Sequence, residues 1–167
     1  MDHYKSWSAL NKQLTDFLCD SLKGRITYFL TYYHQVHNSY GRAAIRLDGK
    51  ELVCFSWVEM IRQESDVSDR RKETGRYDQD DPVLKEKWDR DGTYCEKDFL
   101  QAVTAYLSMS AADALESEDY LLKILAVMDR RVGKRSLRRM REKGGFEGYP
   151  QWAGQFFDLR FAVEQID

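Results

Sequence analysis

Residues 129 to 143 hold the densest chemistry in the chain, reading Asp-Arg-Arg-Val-Gly-Lys-Arg-Ser-Leu-Arg-Arg-Met-Arg-Glu-Lys. Eight cations (Arg130, Arg131, Lys134, Arg135, Arg138, Arg139, Arg141 and Lys143) stand against Asp129 and Glu142, a local charge of +6. Arginine forks at this density grip phosphates or carboxylates, and Gly133 just ahead of a helix lets backbone N–H groups join in. Three uses fit. The run can solvate a surface helix while pairing with acids such as Asp113, Glu116, Glu118 and Asp119 or Asp78, Asp80 and Asp81. It can hold nucleic acid, or it can dock an acidic protein partner. The binding candidates are Arg130, Arg131, Lys134, Arg135, Arg138 and Arg139.

Other reactive side chains form no recognisable set. His34 and His37 fall three apart at a strand end and turn, where they would not share a face, and no neighbouring carboxylates complete a zinc ligand set. His3 lies in the terminal residues. Ser8, Ser21 and Ser110 sit in no G-x-S-x-G, and neither phosphate-binding glycine motif occurs. The D-x-D of Asp89 and Asp91 lacks the closing ligands of a calcium loop, since Gly92, Thr93 and Glu96 do not supply them. No catalytic residue, metal or cofactor is therefore expected, and an enzyme would need a pocket that no motif announces.

Aromatic residues make up 13% of the chain, including Trp7, Trp57, Trp88, Trp152 and the cluster Tyr28, Phe29, Tyr32 and Tyr33. On an open sheet face beside basic residues such rings stack nucleic-acid bases. Most of them are expected in the core, and any left exposed suit a protein interface equally well.

These residues need a scaffold, and 167 residues with 43% hydrophobic content suffice for one domain with its own core. The net charge of −2 gives no global pull toward polyanions, so attraction must come from clustering. No apolar run is long enough to span a bilayer, and no signal peptide opens the chain, so a cytosolic protein is expected. Cys19, Cys54 and Cys95 are odd in number and far apart, which suits reduced, mostly buried thiols.

Spacing of Trp7, Leu10, Leu14, Phe17 and Leu18 predicts an amphipathic helix over 6–18. Ile26 to Tyr33 reads as a strand, and Ala43–Leu47, Asp48-Gly49 and Leu52–Phe55 read as a hairpin on a two-residue turn. After Trp57 the pattern is helix and loop, with a polar connection at about 63–81. Asp81-Pro82 opens a short helix ending near Gly92, and Thr93 with Glu96 suggests a capping box before Phe99–Leu107. Ser117 is expected to cap an apolar central helix over 120–131, stopped by Gly133. A basic helix over 136–143 ends at Gly144-Gly145. Pro150 starts a last helix with Trp152, Phe156, Leu159 and Val163 on one stripe. The sum is an α+β domain over 1–167: an N-terminal helix and a three-stranded antiparallel meander packed against a helical C-terminal half.

Several segments carry a family resemblance. Trp7-Ser8-Ala9-Leu10, the stretch Phe17-Leu18-Cys19-Asp20-Ser21-Leu22-Lys23-Gly24-Arg25, the Asp129–Arg135 run and Phe156-Phe157-Asp158-Leu159-Arg160 resemble a family of small cytosolic bacterial proteins. Its pattern is W-S-x-L, F-L-C-x-x-L-x-G-R, D-R-R-V-G-K-R and F-[FY]-x-L-R. The resemblance implies a compartment and a compact fold, with no established activity and no catalytic residues. Functionally, the segregated charge without a catalytic motif points to a non-enzymatic protein-binding module. Nucleic-acid binding through the 130–143 segment is the alternative, and an enzyme lacking a visible motif the third reading.

Overall fold

A computed structural model describes residues 5–33, 40–63 and 81–167. His3, His34, His37 and nearly all of the polar connection lie outside the described residues. Helix α1 (Trp7–Asp16) starts where Ser6 Oγ accepts the Ala9 N–H at 3.3 Å, and it buries Leu10 and Leu14. Strands β1 (Ile26–Tyr32), β2 (Gly41–Leu47) and β3 (Lys50–Phe55) form an antiparallel sheet in that order. Between β2 and β3, Asp48 and Gly49 both take positive φ, 51° and 82°, as a two-residue turn matching the strand twist requires. Ile45 faces Val53 while Arg46 faces Glu51, so Leu52 is the extra residue of a bulge.

Period-two alternation assigns the two sheet faces. Ile26, Tyr28, Ala43, Ile45 and Phe55 turn inward, toward α1 and a helix of the C-terminal half. On the opposite face the Arg46 guanidinium lies 4.6 Å over the Phe29 ring, Arg42 pairs with Glu51, and Tyr33 is exposed. Phe29 is thus covered by its own neighbour, while the Tyr33 ring stays open.

The second half is helical: α2 (Trp57–Gln63), α3 (Pro82–Asp91), α4 (Glu96–Tyr106), α5 (Ala111–Glu116), α6 (Tyr120–Val127), α7 (Lys134–Lys143) and α8 (Gln151–Val163). α6 is the central one, packed against α4, α5 and α8, with Leu121, Ile124, Leu125, Ala126 and Val127 buried. A smaller cluster of Trp57, Met60, Leu84, Trp88 and Cys95 joins α2 to α3 and the head of α4.

Four boundary expectations need correction. The cap of α4 is Cys95 rather than Thr93, because the Glu96 side chain turns inward and Asp98 instead accepts the Cys95 N–H at 2.8 Å. Asp119 caps α6, its Oδ1 accepting the Leu121 N–H at 2.8 Å, while Ser117 acts one step earlier on the Asp119 N–H. α6 stops at Val127, not Arg131, since the following backbone pairs with the chain after α1. The Cys19 N–H donates to Met128 O and the Arg130 N–H to Phe17 O, at 2.9 and 2.8 Å. Gly133 therefore starts α7 instead of stopping α6. On α8 the buried side is Ala153, Phe156, Phe157, Arg160 and Phe161, because Phe146 of the preceding loop packs on Phe157 and Phe161. Trp152, Leu159 and Val163 are only partly buried.

Gly92 ends α3 with φ +66°, and a Cβ there would stand 2.5 Å from Pro150 Cγ and 3.1 Å from the Tyr120 ring. Its carbonyl accepts the Trp152 Nε1–H at 2.8 Å. Gly92→Ala is expected to cost about 2 to 4 kcal/mol, combining left-handed strain with overpacking. Urea unfolding measures it, and a loss below about 1 kcal/mol, the strain alone, would mean the Pro150 contact yields freely.

Candidate functional site

The basic run splits into two parts with different chemistry. Its first part centres on a buried carboxylate. Asp129 is 1% exposed and accepts hydrogen bonds from the Tyr106 hydroxyl, from Arg131 Nε and NH2, and from the Arg131 backbone N–H. Arg131 thereby turns back onto its own segment, its guanidinium 4.2 Å from the Phe17 ring centroid. Burial and the Asp129 bond both push the Tyr106 hydroxyl above its usual range, so it stays a neutral donor. The Asp129 bond also raises Arg131, which is already cationic.

Arg160 of α8 closes this node from the other side. It is 3% exposed, and its NH1 donates to Val127 O and Asp129 O while NH2 donates to Val132 O, each at 2.9 Å. Those carbonyls belong to the end of α6 and the turn after it, where Asp129 O also accepts the Val132 N–H at 3.1 Å. Arg160 Nε lies 3.2 Å from Glu164 Oε1, an ion pair outside hydrogen-bond geometry. Three of the quoted segments, Phe17–Arg25, Asp129–Arg135 and Phe156–Arg160, therefore meet at one place and do structural work there.

The second part points outward. α7 rests on the core through Leu137, fully buried, and Met140, partly buried, with Arg141 laid 5.2 Å over the Phe161 ring. Arg135 and Arg139 fall on the opposite side of a ten-residue helix about 15 Å long, Arg138 flanks them, and Lys134 shares the side of Leu137 and Arg141, which follow it by three and seven residues. Of the candidates, Lys134 approaches Glu164 at 3.8 Å and Arg131 is held by Asp129. Arg130, Arg135, Arg138 and Arg139 are exposed and make no ion pair among the described residues. The acids at 113–119 do not pair with the run, and Asp78 and Asp80 lie outside the described residues.

A family model covers residues 6–161 of the chain. The chain belongs to the SF0329 protein family. No curated protein and no solved structure matches it. Among the described residues no three His, Cys, Asp or Glu side chains gather to hold a metal ion. No described helix is long and apolar enough to cross a membrane. Cys19, Cys54 and Cys95 carry free thiols, all raised above their ordinary range by burial.

Tyr106, Arg160 and Glu96 escaped the sequence reading. Tyr106 and Arg160 lie on faces that hydrophobic periodicity marks as core, and a polar tip there has no local signal. Glu96 reads as a capping residue until the fold brings Gly41 and Trp57 against it.

Proposed function

We propose that the protein is a non-enzymatic binding module that docks an acidic protein segment on the outward face of α7. The carrying observation is the exposed set Arg130, Arg135, Arg138 and Arg139, which has no internal counter-charge among the described residues. Planar guanidinium forks suit carboxylates, and a rigid helix seated on a buried polar node presents them at little ordering cost. The three free thiols suit work in the cytosol.

Nucleic acid is the second reading, favoured by Gly133. It precedes α7 without a side-chain cap, which leaves first-turn N–H groups beside Arg130 and Arg135 for a phosphate.

The test compares a labelled oligoglutamate-rich peptide, random single-stranded RNA and duplex DNA at low and physiological salt, with wild type and Arg138→Glu/Arg139→Glu. The peptide should bind more tightly than either nucleic acid at physiological salt and lose at least about tenfold in the double variant. Tighter nucleic-acid binding with a steep salt slope would transfer the site to the second reading. Failure of all three probes would remove α7 as a polyanion surface.

A further inference from the structure

Away from α7, a cavity of about 310 Å³ opens between α2, α3 and the first turn of α4. Its lining sets three aromatic rings among charged and polar side chains. Trp57 and Trp88 meet edge to face, ring centroids 5.1 Å apart at 81°, and Tyr40 lines the same space. Met60 adds a polarizable apolar patch.

The charges around these rings do not balance. Glu96 is fully buried, with Oε1 accepting the Gly41 N–H at 3.0 Å and Oε2 the Trp57 N–H at 2.8 Å. No cation pairs with it among the described residues. The positive end of α4 offsets part of this charge, yet a buried carboxylate ordinarily keeps a full counter-charge within reach. Asp98 also lines the cavity, bonded to the Cys95 N–H, while Asp89 pairs with Lys85 at 3.0 Å. Among the described lining residues three carboxylates stand against Lys85 and Lys97, which leaves one net negative charge.

Neighbouring groups register the same sign. The Cys95 thiol is pushed up to about 12, by burial first and then by Asp98. Tyr32 is raised by burial and next by Glu96, and Lys85 is raised chiefly by its bond to Asp89.

We propose that this cavity binds a small organic monocation of the methylated-ammonium class, seated against Trp57 and Trp88 and balanced by Glu96 and Asp98. Indole faces attract such cations most strongly of the aromatic side chains, and methyl groups spread the charge so that leaving water costs little. The apolar surface of the methyls matches the rings and Met60. A bare metal ion fits poorly, because both Glu96 oxygens already hold backbone N–H groups. An anion would face the lining's net negative charge, with Lys97 alone to meet it.

The experiment follows the indole N–H signals of the full chain by nitrogen-15 NMR, each assigned by a single Trp→Phe variant. Choline chloride is titrated beside its uncharged isostere 3,3-dimethylbutanol and beside sodium acetate at matched ionic strength. Choline should shift the Trp57 and Trp88 signals and leave Trp7 in place, saturating with a half-point at or below about 1 mM. The alcohol should need at least about tenfold more, and acetate should leave these signals unmoved. Lys97→Glu changes an exposed rim residue, so the fold should survive, and the added negative charge should tighten choline at least about twofold. An equal response to the alcohol would overturn the proposal. So would acetate saturating in place of choline, Lys97→Glu failing to tighten binding, or no saturation by about 20 mM choline.

Discussion

Asp129→Ala is expected to cost about 3 to 5 kcal/mol, a large share of the roughly 5 to 15 kcal/mol that holds a domain of this size together. The carboxylate side chain has no exposed surface and gathers the Tyr106 hydroxyl, the Arg131 guanidinium and the Arg131 N–H. Removing it leaves the buried Tyr106 hydroxyl without its acceptor and frees Arg131 from the segment it folds back on. The backbone link of residues 128–130 to Phe17 and Cys19 then loses its anchor, so α1 should loosen together with the end of α6. Urea unfolding gives the magnitude, and amide exchange at Cys19 and Arg130 shows where it acts. A loss under about 1 kcal/mol would mean the node is dispensable.

Arg160→Met should be comparably severe, at about 3 to 5 kcal/mol. Methionine keeps the stem's packing against the core but abandons the carbonyls of Val127, Asp129 and Val132 and leaves Glu164 only the more distant Lys134. Arg160→Lys should recover less than half of that loss, because a single ammonium cannot span three carbonyls as a planar fork does. Asp129→Ala and Arg160→Met both act on residues 127–132, so their combined cost should fall short of the sum. Full additivity would show that the two arginine-bearing halves of the node are independent.

Local patterning reached the elements whose determinants are near in sequence. Asp48-Gly49 names its own turn, Ser6 and Asp81-Pro82 name their helix starts, and the Ile26–Tyr32 alternation names its strand. The misplaced boundaries share a different cause. α6 stops at Val127 because a bridge to Leu18, over a hundred residues earlier, takes the next backbone groups, and no property of residues 120–131 announces that partner. Cys95 replaces Thr93 as a cap because Glu96 is drawn to Gly41 and Trp57 by the tertiary fold.

The site shows the same division. Sequence alone presents eight cations, six of them offered as binding candidates, and proximity in the chain suggests one surface. Position relative to the core separates them: Arg131 faces Tyr106 and Phe17, Arg141 covers Phe161, and Arg130, Arg135, Arg138 and Arg139 remain outside. Arg160 belongs to the same polar node although it lies far from the run in sequence and on a helix whose pattern reads as core.

That division is the central claim, and the unfolding free energy of one variant tests it most directly. Arg130, Arg135, Arg138 and Arg139 are all replaced by alanine, and urea unfolding is compared with wild type and with Asp129→Ala. Stability within about 1 kcal/mol of wild type is expected, since exposed changes cost little and alanine favours helix. A loss approaching that of Asp129→Ala would contradict the account, because the four outward arginines would then be part of what holds the fold rather than a surface left free for a partner.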